Sequence, residues 1–214
     1  MYLRREEGEV KKKRGKFITF EGSEGCGKST QSKLLYEYLK KEGYPVLYLR
    51  EPGGVKVSER IRELLLDPKS RIAASAETLL YMAARAEVVD EIIKPALAAG
   101  KIIVCDRFLD STIAYQGYGL GIDIKTIKAI GKFATQGISP DLTIFLDLAV
   151  KKGLKHRQFT KDRIEQRPFN YHERVRKGYL ALARLEPKRI KIVKLDADIA
   201  VTQAKIRSLC HSLI

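Results

Sequence analysis

The sequence predicts an α/β fold in which helices cover both faces of a five-stranded parallel sheet. Three observations carry that expectation. From Lys16 onward, short apolar runs alternate with longer amphipathic segments, the pattern of βαβ units. The runs mostly lack polar alternation, as strands buried on both faces should. The 214 residues, 44% of them hydrophobic, suffice for one full core, which makes a single domain the default.

Taken in order, strands are expected at Phe17 to Glu21, Val46 to Arg50, Ile102 to Cys105, Leu142 to Asp147 and Ile190 to Leu195, each rich in Ile, Val, Leu or Phe. Helices are expected at 28 to 42, 56 to 66, 75 to 99, 109 to 117, 123 to 136, 149 to 157, 171 to 185 and 198 to 212. No internal repeat or Pro/Gly-rich linker interrupts this order, so residues 15 to 214 read as one domain. Residues 1 to 16 carry seven basic and three acidic groups and almost nothing apolar, so 1 to 14 read as a basic, disordered leader. Between the sixth and seventh helices, HRQFTKDRIEQRPFN (about 156 to 170) is basic and poor in core residues. It reads either as a lid loop or as a solvated connection.

Composition narrows the function less than the motifs do. The 41 basic residues against 26 acidic ones give a formal charge of +15, attractive to any polyanion without naming one. No run of about 18 apolar residues offers a bilayer span, and the N-terminus is charged where a secretory signal is apolar. Cys26, Cys105 and Cys210 lack metal-type spacing. The expectation is a soluble, cytoplasmic protein with reduced thiols and no membrane partner.

The strongest chemical signal is Gly22-Ser23-Glu24-Gly25-Cys26-Gly27-Lys28-Ser29, a G-x-x-x-x-G-K-S match set between the apolar run FITFE and an amphipathic helix, with Thr30 following. Glycines let such a loop turn tightly so that its N–H groups face phosphate oxygens, and the following helix adds its positive end. Lys28 is then expected to bridge the β and γ phosphates of ATP, and the Ser29 hydroxyl to ligate Mg²⁺. This P-loop alone leaves GTPases, ATPases, kinases and motor domains open.

Further segments bear on the acceptor. Arg50-Glu51-Pro52-Gly53-Gly54 follows the second strand, and Asp106-Arg107-Phe108-Leu109-Asp110-Ser111 follows the third, both at carboxyl ends where open α/β sheets bind ligands. Asp106 and Arg107 read either as a structural ion pair, or as a carboxylate for the Mg²⁺ shell beside a guanidinium that forks onto an acceptor phosphate. Tyr81 and Tyr115 lie on expected helices, where an aromatic serves the core or a ligand. Arg85 falls one turn after Tyr81 on the same face, so a flat ring and a planar donor can address one base.

The runs FEGSEGCGKSTQ, REPGG, LLYMAAR, DRFLDSTIAYQG, PDLTIFLD and DRIEQ followed by RVRKGYLALA resemble the thymidylate kinase family, in its order and close to its spacing, from Phe17 to about Ile206. The DRF…S…AYQG run is specific to that family, whereas the P-loop is not. The resemblance implies a P-loop NTPase fold and Mg²⁺-dependent transfer of the ATP γ-phosphoryl group to dTMP, by a protein that is commonly a homodimer. It implies that Gly22 to Thr30 bind ATP, that Glu24 contacts the 3′-hydroxyl of dTMP, and that Arg50 and Arg107 hold its phosphate. Tyr81 falls where the family usually stacks Phe on thymine. Arg85 matches the arginine that hydrogen-bonds the base, Thr112 and Gln116 match its polar contacts, and Tyr115 matches the tyrosine beneath the deoxyribose. The P-loop lacks an arginine, a type in which the lid supplies the catalytic ones, so Arg157 and Arg163 are the candidates, with Lys161 and Arg167 behind them. The stretch from Gly153 to Asp162 is about two residues shorter than the family's lid. Two rival readings remain: a kinase for another nucleoside monophosphate or a deoxynucleoside, and a P-loop nucleic-acid-binding protein. The latter rests on charge alone, with no nucleic-acid module to support it, so no specific nucleic-acid partner is expected.

Overall fold

A computed structural model describes residues 14–155 and 162–214 of the chain. Five strands, β1 (Phe17–Glu21), β2 (Val46–Arg50), β3 (Ile102–Asp106), β4 (Leu142–Asp147) and β5 (Ile190–Lys194), form one parallel sheet in the order β2-β3-β1-β4-β5. Strand β1 lies at the centre, with Phe20 opposite both Asp106 of β3 and Ile144 of β4. All five of its residues are buried, which is why FITFE reads as a continuous run.

Its residues nevertheless divide between two faces. Ile18 and Phe20 pack with Leu35 and Leu39 of α1 (Lys28–Lys41) and Ile206 of α9 (Ile199–His211). Phe17 turns to the other face and joins Val88, Ile93 and Phe108. Helices α2 (Lys56–Leu66) and α3 (Ala74–Val88) lie against each other. Helices α6 (Ile124–Ala134) and α8 (Phe169–Leu185) enclose a further cluster around Phe145, Tyr171, Val175 and Tyr179.

Three expected helices differ in detail. The segment expected at 75 to 99 is helical throughout but changes pitch: α3 runs into a π-helical turn, Val89–Ile93, before α4 (Lys94–Ala98). Pro95 explains the wide turn, because it has no N–H for the carbonyl of Glu91 and its ring crowds that oxygen. The segment expected at 109 to 117 is one α-turn, α5 (Leu109–Thr112), followed by a π-helical stretch to Gly119. That stretch lies tightly on α8, where Gly178 meets the Tyr118 ring and Gly119 meets Tyr171. Helix α8 begins two residues early, directly after Pro168. Helix α7 (Val150–Lys155) starts the stretch expected at 149 to 157. Among the described residues, no helix is long and apolar enough to cross a membrane.

Candidate active site

The glycine loop joins β1 to α1 at the carboxyl edge of the sheet. Gly25 and Gly27 take left-handed φ values of 70° and 79°, and Gly27 caps α1, so the turn needs residues without a Cβ. Lys28 is buried, and its Nζ donates to Ser23 O at 2.9 Å, folded back over the loop. Cys26 packs beneath the loop, buried. The backbone of Gly25 touches that of Gly153, so α7 sits directly on the P-loop.

Above the loop lies a cavity of about 390 Å³, within the range of roughly 300 to 1,000 Å³ for small-molecule sites. Its donor end is formed by Glu24, Gly25, Gly27, Lys28, Ser29 and Thr30. Asp106 Oδ2 accepts from Ser29 Oγ at 2.5 Å, and Asp106 Oδ1 is buried without a hydrogen-bond partner. This pair of hard oxygen donors fits Mg²⁺, which takes few protein ligands and completes its shell with phosphate and water. No cluster of three or more His, Cys, Asp or Glu side chains at metal-holding distance occurs among the described residues.

Arg107 dominates the middle of the cavity. Its backbone sits at φ 74°, a strained value for a non-glycine residue, pinned by Arg107 N donating to Phe20 O and Cys105 Sγ donating to Arg107 O. The guanidinium does not pair with Asp106, the partner of the structural reading. It reaches Glu24 Oε1 at 2.8 Å and Tyr115 OH at 3.1 Å, and lies 4.9 Å over the Tyr115 ring. Burial opposes charge on Glu24, but Arg107, Lys28 and the Tyr115 hydroxyl overcome it and hold the carboxyl down at about 2. Three residues earlier the balance reverses. Burial, with Asp110 adding to it, lifts the Glu21 carboxyl to about 7, even though Ser111 and Phe108 donate to it.

Arg85 stands at the far end, 2% exposed. Its Nε donates to Glu51 Oε2 at 2.8 Å, Nη1 to Thr112 Oγ1 at 3.0 Å and to the Met82 sulfur, and Nη2 to Phe108 O at 3.1 Å. One Nη2 hydrogen remains for a ligand. Tyr81, Thr112, Tyr115 and Gln116 line the cavity around it. Burial raises the Tyr81 phenol well above its ordinary value. Arg50 lies at the rim, paired with Glu59 at 3.0 Å, which also accepts from Gly54 N and so braces the REPGG turn.

The lid arginines part company. Arg157 and Lys161 lie outside the described residues. Arg163 does not line the cavity: Nη1 pairs with Glu77 at 2.6 Å and Nε donates to Leu65 O, so the guanidinium tethers its segment to α2 and α3. The guanidinium expected to serve catalysis thus sits on a fully buried carboxylate in this arrangement, and it would have to leave Glu77 to reach a transferring phosphoryl. Arg167 joins the same carboxylate.

Sequence reasoning missed Glu51, Glu77 and Arg62. Glu77 carried a signal, since it precedes Tyr81 and Arg85 by four and eight residues on one helical face. Arg62 lines the cavity from the second turn of α2, donating to Pro52 O at 3.0 Å. Only its adjacency to REPGG hinted at it.

A parallel sheet of this order, a glycine loop between its central strand and a helix, and a cavity at the carboxyl ends together define a P-loop NTPase fold. The pattern of the thymidylate kinase family matches residues 20–206. Thymidylate kinases from Caldanaerobacter subterraneus subsp. tengcongensis and Halothermothrix orenii are 48% and 50% identical over 181 and 190 residues, covering 84% and 86% of this chain and 87% and 90% of theirs. A crystal structure of thymidylate kinase from Ehrlichia chaffeensis superposes with a TM-score of 0.77 at 36% identity, covering 92% of this chain and 99% of that one. The chain belongs to the thymidylate kinase family, and it is an enzyme.

Proposed function

We propose that this enzyme transfers the γ-phosphoryl group of ATP to dTMP, giving dTDP and ADP, in a Mg²⁺-dependent step towards dTTP. The observation that carries the reading is one cavity that joins a P-loop to a second set of arginines and a base-sized end lined by Tyr81, Arg85, Thr112 and Gln116. An oxygen of the dTMP phosphate attacks the γ-phosphorus, and the bond to the β–γ bridging oxygen breaks. Such transfer depends on positioning and charge neutralisation. Lys28 swings from Ser23 O onto the β and γ phosphates. Arg107 and Arg50 hold the acceptor phosphate, with Glu24 on the 3′-hydroxyl and Tyr115 beneath the sugar. Mg²⁺ held through Ser29 and Asp106 supplies further positive charge at the phosphates. Arg157 is the lid residue proposed to stabilise the transferring group.

Burial of all three free cysteines suits a reducing cytoplasm. A homodimer has an apolar surface available, with Val57 and Leu64 on α2, Leu79 on α3 and Phe133, 85% exposed, on α6. Light scattering on wild type and Leu79→Glu tests it, the variant being expected as a monomer.

The deciding experiment measures ADP release with dTMP, dUMP, UMP, dCMP, AMP and GMP at fixed ATP and Mg²⁺. The highest kcat/KM is expected for dTMP, with dUMP second, because one methyl contributes about 1 to 3 kcal/mol of discrimination. AMP, GMP or UMP as the best acceptor would refute the thymidylate reading and leave a phosphotransferase.

A further inference from the structure

Gln116 meets a neighbour that settles which way its amide points. Nε2 donates to Glu77 Oε1 at 2.8 Å, while Glu77 Oε2 accepts from Arg163 Nη1 and Arg167 Nη2, both at 2.6 Å. A carboxylate paired with two guanidinium groups serves as an acceptor. A flipped amide would set its carbonyl oxygen against that carboxylate, with Glu77 0% and Gln116 2% exposed. Two buried acceptors facing each other leave both unsatisfied. The amide is therefore fixed with Oε1 away from Glu77.

That orientation has a chemical reading. Gln116 shares the cavity wall with Arg85 and Thr112. Arg85 can only donate, and one Nη2 hydrogen is uncommitted. A base therefore meets a donor beside an acceptor. Thymine and uracil carry a carbonyl oxygen next to an N3–H and match the pair. Cytosine carries an amino group next to an unprotonated N3 and mismatches it twice.

We infer that Glu77 is a positioning residue: by fixing the Gln116 amide it makes the site choose an imide base over cytosine, with Arg163 and Arg167 holding the carboxylate in place. The inference rests on the proposed function, since it assigns the base to this end of the cavity.

The full-length wild type, Glu77→Gln and Glu77→Asp are assayed for kcat/KM with dTMP and with dCMP at fixed ATP and Mg²⁺. A merely structural role lowers both values alike, whereas a positioning role lowers their ratio. Glu77→Gln, whose amide donates as well as accepts, is expected to cut the dTMP:dCMP ratio by about tenfold or more. Glu77→Asp keeps a charge for both arginines but draws the carboxylate back by one methylene, and a fall of about threefold is expected. It decides the matter if circular dichroism shows Glu77→Gln unfolded. A wild type that prefers dTMP, with folded variants whose ratio is unchanged or whose dCMP turnover stays undetectable, overturns the inference alone. A wild type that prefers dCMP overturns the proposed function as well.

Discussion

The donor end of the cavity comes from one short run of chain, residues 22 to 30, whose groups proposed for phosphate are largely backbone N–H. The acceptor end is assembled from side chains on β2, α3 and the turn after β3, held by ion pairs that span 34 positions for Arg85 and Glu51, 83 for Arg107 and Glu24, and 90 for Arg167 and Glu77. The two ends should therefore fail differently. Removing a side chain from the first removes chemistry and leaves the fold. Removing one from the second strands a buried charge, and the architecture suffers with the binding.

Lys28→Met tests the donor end. Among the described residues its Nζ donates to a loop carbonyl and the Cys26 sulfur, and Glu24, whose charge it supports, keeps Arg107, so the variant should melt close to wild type while kcat drops by about a thousandfold or more, on the order of 4 kcal/mol. Near-normal turnover would remove Lys28 from the mechanism. A large loss of stability would erase the contrast.

Arg85→Ala tests the acceptor end. It leaves Glu51, already lifted above its ordinary range by burial, with no counter-charge. Urea denaturation should show a loss of about 3 kcal/mol or more. The KM for dTMP should rise with that for ATP unchanged, because the proposed role of Arg85 is to donate to the base. If stability is retained, the acceptor end is not built on its ion pairs.

The comparison sharpens at Glu21 and Glu24, which flank Gly22 and Ser23 with opposite shifts. Glu24 ionises at about 2 when folded against 4.5 ordinarily, so its stabilisation is complete above pH 4.5 and disappears as pH falls towards 2. Glu21 ionises at about 7 against 4.5, so the folded state keeps a proton that the unfolded chain has lost. Stability then falls as pH rises from 4.5 to 7. Between those limits wild type should lose roughly 2 kcal/mol more than Glu21→Gln in urea titrations. A gap between the two proteins that does not vary with pH would contradict the opposite roles.

The smallest effect on folding belongs to the rim. Arg50 and Glu59 are both part-exposed at the rim, so Arg50→Ala should cost no more than about 1 kcal/mol of stability. The KM for dTMP should still rise, by about tenfold, through loss of a phosphate contact. An unchanged KM would leave Arg107 as the sole acceptor arginine.

Much of this was legible in the sequence, for identifiable reasons. All five strands fell within a residue of their expected positions, because strands covered by helices on both faces must be apolar throughout, and FITFE and LTIFLD satisfy that locally. The P-loop was legible because its parts are contiguous. Arg85, Arg107 and Tyr115 were placed by resemblance at the base, the phosphate and the sugar, and all three line the cavity. Their partners were not legible. Nothing in REPGG announces that Glu51 meets a guanidinium 34 positions on, or that Arg163 is taken up by Glu77, because such pairing is decided by topology. The π-helical turn after Val88 escaped for another reason, since Pro95 marks a break without stating its pitch.

Helix α3 acts as a ruler for the acceptor pocket. Glu77, Tyr81 and Arg85 stand at successive intervals of four residues, so one face presents an acid, a ring and a base in fixed order. Insertion of a single residue between Glu77 and Arg85 would rotate one against the other by about 100° and send the acid out of reach of Gln116 or the base out of reach of Glu51. The connection between α2 and α3, residues 67–73, bears no such constraint and can change length. Descendants of this chain should therefore vary in length before Ala74 and hardly at all within the helix that follows.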